Sequence, residues 1–125
     1  MTKGMTMHQG SCLCGAVKYN INCEPEVVGN CHCTMCQKQH GAAFATYVSI
    51  NKDFFVYTQG QDKLTSYNSS GTIIRKFCVQ CGSNIEWGGS KEHPNWVSVP
   101  LATFDTLFKP NNIKDYHGGS KCQWL

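Results

Sequence analysis

At 125 residues the chain is read as one domain, 1–125, and its 41% hydrophobic share includes nine cysteines, so the apolar core is small and bound metal would help to hold it. The formal charge of +3 is thinly spread, and Arg75-Lys76 is the longest basic run, which leaves no electrostatic footprint for DNA or RNA. No apolar stretch approaches the length of a membrane span.

Residues 1–9 are expected to be disordered or loosely packed. Val17, Tyr19 and Ile21 alternate with Lys18, Asn20 and Asn22, the period of a half-buried strand that Glu24-Pro25 ends. Val27-Val28 leads into a cysteine cluster. Residues 34–40 predict a short helix, with Cys33 or Thr34 at its cap and Gly41 as its stop. Residues 43–50 read as a strand, Asn51-Lys52 as a turn and residues 53–57 as a second strand. After a turn at Gly60-Gln61-Asp62, residues 64–67 and 72–77 form a hairpin across Ser69-Ser70-Gly71. Residues 85–87 and 95–99 are further strands. Residues 100–108 hold a short helix, and the tail over 113–125 is extended, with Trp124 as its anchor. Many short strands between polar and glycine turns predict a mainly β domain with one or two short helices.

Seven of the nine cysteines fall in three clusters: Cys12-Leu13-Cys14, Cys31-His32-Cys33-Thr34-Met35-Cys36 and Cys78-Val79-Gln80-Cys81. The odd count and the absence of an apolar leader in residues 1–10 favour reduced, metal-bound thiols in the cytoplasm over a disulfide scaffold. Cys78 and Cys81, three apart and followed by Gly82, can aim both sulfurs at one ion across a tight turn. Such a pair needs a second pair, because structural zinc takes four ligands. Cys12 and Cys14, two apart, would share one face at a strand end, with Leu13 facing the other way. Cys31, Cys33 and Cys36 combine both spacings and can hold one ion unaided, which would leave a fourth position open for chemistry. The same alternation turns His32 away from that ion, towards a hydrogen-bonding partner or solvent.

Spacing alone leaves the grouping open. The thiols could instead form two four-ligand sites, with His32, His40 or His8 completing the second. His40 sits one helical turn after Cys36, within reach of an ion or of a ligand bound there. His93 and His117 read as surface groups, and Cys23 and Cys122 as ordinary thiols. Seven cysteines bound as thiolates add −7 and two Zn²⁺ add +4, which brings the formal charge of +3 to 0. A metallated chain is then close to neutral.

Gly10-Ser-Cys-Leu-Cys-Gly15, Asn30-Cys-His-Cys-Thr-Met-Cys36, Gly41-Ala-Ala-Phe44 and Phe77-Cys-Val-Gln-Cys-Gly-Ser83 together resemble the glutathione-dependent formaldehyde-activating enzyme family, also called the centromere-protein-V-like family. The resemblance is strong over residues 10–83 and continues through Leu107-Phe-Lys-Pro110 and Lys121-Cys-Gln-Trp124. It implies an Mss4-like fold, with small antiparallel sheets around a structural zinc. Cys12, Cys14, Cys78 and Cys81 would hold that zinc. Cys31, Cys33 and Cys36 would hold a second, in all or in part of the molecules, making two Zn²⁺ per chain. The reaction it implies is carbon–sulfur lyase-type chemistry, the condensation of glutathione with formaldehyde to S-(hydroxymethyl)glutathione.

His40 or Lys38 would protonate the developing alkoxide. Lys38, Arg75 and Lys76 are available as a basic rim for glutathione's carboxylates, although each reads first as solvated surface. Gln37-Lys38-Gln39 stand where the family often carries an arginine-containing run. The alternative is a non-catalytic, zinc-stabilised Mss4-like binding module or chaperone. The partner is then a small thiol in the first case and a protein in the second, with neither nucleic acid nor membrane involved. The oligomeric state is not legible.

Overall fold

The computed structural model describes residues 5–125. Strands β1 (His8–Ser11), β2 (Lys18–Ile21) and β5 (Phe55–Gln59) form an antiparallel sheet in the order β1-β2-β5. Strands β3 (Val27–Cys31), β4 (Ala45–Asn51), β6 (Leu64–Ser70), β7 (Ile73–Cys78), β8 (Asn84–Gly88), β9 (Trp96–Pro100) and β10 (Lys114–Tyr116) form a second sheet in the order β10-β3-β4-β9-β8-β7-β6. All its pairings are antiparallel except β10 on β3, which is parallel. The α-helix, α1 (Thr34–His40), connects β3 to β4. The domain is mainly β, as the turn-punctuated sequence predicts.

The alternation in β2 decides how the sheets meet. Tyr19 and Ile21 point inward with the preceding Val17, and they join Val48 and Ile50 of β4, Ile85 of β8 and Val97 and Val99 of β9 in one buried cluster. Burying each of these side chains stabilises the fold by roughly 1.5–3 kcal/mol. The Tyr19 hydroxyl is not stranded there, because it lies 2.6 Å from Thr103 Oγ1.

Several expectations are corrected at the edges. Residues 1–4, part of the expected loose N-terminus, lie outside the described residues. His8 and Gln9 are not loose: both belong to β1, and His8 is buried with its ring stacked on Phe104 at 5.3 Å. The strand expected over 53–57 starts later, because Asn51 Oδ1 accepts from the Asp53 N–H and caps a 3₁₀ turn over Lys52–Phe54. The helix expected within 100–108 is a 3₁₀ turn, Leu101–Thr103. Trp124 does not anchor the tail, being 75% exposed. The tail is held instead where β10 pairs with β3, and there Tyr116 lies so close over Gly29 that a Cβ would enter its ring.

Candidate metal sites

The outer cysteine clusters occupy two matched turns. The chain leaves β1 and turns at Cys12–Gly15, where the Gly15 N–H donates to the Cys12 carbonyl at 3.0 Å. It turns again after β7, where the Gly82 N–H donates to the Cys78 carbonyl at 2.8 Å. Gly15 and Gly82 both hold positive φ, 79° and 80°, a conformation costly for a residue with a Cβ. Cys12 and Cys14 therefore sit on a turn rather than on the strand end expected from their spacing. Leu13 does face away, at 86% exposed.

The turns bring Cys12, Cys14, Cys78 and Cys81 together, with all four sulfurs within 4.8 Å of one another. Cys12 to Cys14 is 3.6 Å and Cys14 to Cys78 is 3.8 Å. Sulfurs placed tetrahedrally around an ion about 2.3 Å away stand about 3.8 Å apart, so the set fits zinc. Polar groups already face the sulfurs. The Val17 N–H points at Cys12 Sγ at 3.2 Å, and Ser83 Oγ lies 3.3 Å from Cys81 Sγ. The Ser83 hydroxyl and N–H push the Cys81 thiol down to about 5, ready to ligate as thiolate. Ser83 Oγ also accepts from the Leu13 N–H at 2.8 Å, which ties the two turns together without metal.

The middle cluster is built locally. Cys31 ends β3, Cys33 is the N-cap of α1 with φ −63° and ψ 150°, and Cys36 lies in its first turn. The Cys36 N–H donates to Cys33 Sγ at 3.3 Å, and Gly41 in the left-handed conformation ends the helix, as expected. Cys31, Cys33 and Cys36 form a three-member group, with Cys31 and Cys36 sulfurs 3.4 Å apart. Three soft sulfur donors at this spacing also suit zinc. The hydrogen bond with Cys31 pushes the Cys36 thiol down to about 5, with Cys33 and Arg75 adding to it against the effect of burial. Cys31 moves up, as the partner that keeps the proton.

The walls of this site come from further away. Arg75 of β7 is 4% exposed, and its guanidinium reaches Cys36 Sγ at 3.6 Å, Gln39 Oε1 at 2.7 Å and Ser69 Oγ at 2.9 Å. This corrects the reading of Arg75 as solvated surface. No local pattern marks it, because its two partners on α1 lie 39 and 36 residues away along the chain. Tyr47 of β4 is buried beside Cys36, and His40 Nε2 lies 3.0 Å from its hydroxyl. Burial pushes the Tyr47 phenol up, helped by the sulfur charge, so it stays protonated. Burial likewise lowers His40 and favours the neutral ring.

The other candidates separate clearly. Lys38 is exposed, two residues from Cys36 on a helix and so turned about 200° from it. Lys76 pairs with Glu86 at 3.4 Å. His32 is turned into the protein beside Phe44, and its Nε2 lies 2.9 Å from Asp115 of β10. Neither His32, His40 nor His8 joins a cysteine group. Cys23 is buried, and that burial raises its thiol. The Cys122 sulfur lies 3.9 Å from the Ala43 carbonyl.

Residues 7–118 match a family profile described as glutathione-dependent formaldehyde-activating enzyme. Two fungal relatives carry that same name provisionally. The protein of Talaromyces marneffei is 33% identical over 75% of this chain and 53% of its own length. That of Podospora anserina is 33% identical over 66% of this chain and 40% of its own length. The chain thus spans about half the length of these curated relatives. A crystal structure of a Rhodobacter sphaeroides protein superposes with a TM-score of 0.67 at 22% identity, covering 86% of this chain and 99% of the other. That likeness shows a shared fold. No helix among the described residues is long and apolar enough to cross a membrane.

Proposed function

The chain belongs to the glutathione-dependent formaldehyde-activating enzyme family, and from that membership we propose that it is a zinc-dependent carbon–sulfur lyase-type enzyme. It would join glutathione, or a related small thiol, to formaldehyde as S-(hydroxymethyl)glutathione. The observation that carries this reading is the inequality of the two cysteine groups. One has four sulfurs, the closed set of a structural site, and the other has three, the open set of a reactive one. A bound zinc would supply Lewis acidity and make a thiol in the fourth position acidic.

The chain's own residues supply the rest. In the condensation the thiol loses its proton, the sulfur–carbon bond forms, and the carbonyl π pair moves to oxygen, which must gain a proton. Neutral His40 is suited to accept the thiol proton. The Tyr47 hydroxyl, kept protonated by burial and 3.0 Å from His40, is suited to deliver one to the alkoxide and to regain it from the protonated His40. His40 is thus preferred over Lys38 as the acid–base group. With Arg75 buried and Lys76 paired, Lys38 is the member of the expected basic rim still exposed to meet a glutathione carboxylate. Thiolate ligands suit a reducing compartment, and we place the protein in the cytoplasm.

Exchange spectroscopy of a formaldehyde–glutathione mixture tests this. The wild-type protein should accelerate interconversion of free and adduct signals, and Cys33→Ser should return it to the uncatalysed rate while retaining one zinc per chain. Equal rates with and without wild-type protein holding two zinc ions would leave the binding-module reading in its place.

A further inference from the structure

A guanidinium is charged at every ordinary pH, and burying one without a counter-charge is costly. Arg75 is 4% exposed, yet the oxygens it touches, Gln39 Oε1 and Ser69 Oγ, are both neutral. The ion pairs among the described residues are His8 with Glu24, His32 with Asp115 and Lys76 with Glu86, so no carboxylate compensates Arg75. The remaining contact is Cys36 Sγ at 3.6 Å. The counter-charge of Arg75 is therefore the sulfur cluster itself.

The charge balance then has a consequence for what the site accepts. Three thiolates and one divalent cation sum to −1, which Arg75 brings to zero. A neutral fourth ligand leaves that balance unchanged. An anionic one takes the site to −1, whereas without Arg75 it would stand at −2. We propose that Arg75 is a specificity-determining residue, which lowers the cost of an anionic fourth ligand, a thiolate, at the three-cysteine site and so shifts its selectivity towards anions relative to a neutral ligand. Gln39 and Ser69 are positioning residues, which hold the guanidinium beside Cys36 from α1 and from β6. This rests on reading Cys31, Cys33 and Cys36 as a metal site, and it extends that reading from the ligands to the choice of substrate.

The test uses the full chain loaded with Co²⁺, whose visible spectrum reports the ligand set. Glutathione and imidazole are each titrated at one fixed pH into wild type and Arg75→Met. Loss of one charge at this distance in a buried site should weaken thiol binding by roughly 10- to 100-fold. Imidazole binding should change by less than about threefold, since a neutral ligand does not draw on that charge. Arg75→Lys should recover part of the thiol affinity, and Gln39→Leu should lose a smaller part of it.

Equal losses for both ligands in Arg75→Met would mean a merely structural role and would overturn the proposal. So would unchanged thiol affinity. If Arg75→Met does not fold, Gln39→Leu decides by the same ratio of thiol to imidazole. If wild type binds Co²⁺ at the three-cysteine site but takes up no thiol, the proposed reaction fails first. Imidazole and azide then measure the charge preference on their own, and an azide-to-imidazole ratio that Arg75→Met leaves unmoved sinks the proposal.

Discussion

His40 shows how a single residue's setting determines its use. Its place on α1, four residues after Cys36, keeps it on the helix face that looks towards the cluster, where Tyr47 takes up its Nε2. Burial lowers its folded-state pKa, so between that value and about 6.5 the unfolded chain binds the extra proton. The contribution of neutral His40 to stability is therefore full above about pH 6.5 and is lost as the pH falls through the folded value. His40→Gln cannot titrate. Denaturant unfolding of the two zinc-loaded proteins at pH 7.5 and pH 5.5 should show a smaller acid loss in the variant. If His40 is the acid–base group, the same substitution should slow formaldehyde–glutathione exchange by roughly 10²- to 10⁴-fold. An unaltered rate would move that role to another residue.

At the scale of elements, β10 is the least secured piece near the three-cysteine site. It is three residues long, exposed throughout, and sits in parallel register on β3 at the sheet edge. Besides that pairing, its side chains are held by the Asp115–His32 contact at 2.9 Å and by the Tyr116 ring over Gly29. Further along the tail, Gln37 Nε2 donates to the Ser120 carbonyl at 2.8 Å and to the His32 carbonyl at 2.7 Å, tying the segment to α1. Gly29→Ala places a methyl group inside the Tyr116 ring, so β10 must move. We expect a loss of about 1–3 kcal/mol, the usual scale of overpacking. Hydrogen exchange should quicken at the His32 amide, which donates to the Tyr116 carbonyl at 2.9 Å, and leave β8 and β9 unchanged. Unaltered protection at His32 would show that Tyr116 swings aside without detaching the strand.

At the scale of the whole molecule, the four-cysteine group joins the three-stranded sheet, through the turn after β1, to the seven-stranded sheet, through the turn after β7. A structural zinc contributes on the order of 10 kcal/mol, comparable with the entire stability of a small domain. Chelation should therefore unfold the protein, seen as loss of the circular-dichroism transition on heating. Cys12→Ser should behave like the chelated protein. Cys33→Ser should stay folded with one metal fewer. A cooperative transition of undiminished midpoint in Cys12→Ser would remove the structural role assigned to that site.

Much of this was legible in one dimension. The alternation around Tyr19 and Ile21 set the inward face of β2, because a strand's period of two needs no distant information. Cys33 or Thr34 at the start and Gly41 at the stop bounded α1, because caps act over a few bonds. The local triad of Cys31, Cys33 and Cys36 could be read for the same reason, as could the direction of His32 away from it. Trp124 misled, since a large apolar residue near a chain end suggests packing, yet nothing in the sequence says whether a surface awaits it.

Which side chains could act as ligands was legible along the chain, since ligand chemistry and short spacings are properties of neighbouring residues. The fold alone gathered Cys12 and Cys14 with Cys78 and Cys81, which requires closing a loop across a sequence separation of 64 between Cys14 and Cys78. It alone turned Arg75 inward onto Cys36. Both outcomes depend on which strands lie side by side, and that arrangement follows from burying the shared core rather than from any local signal.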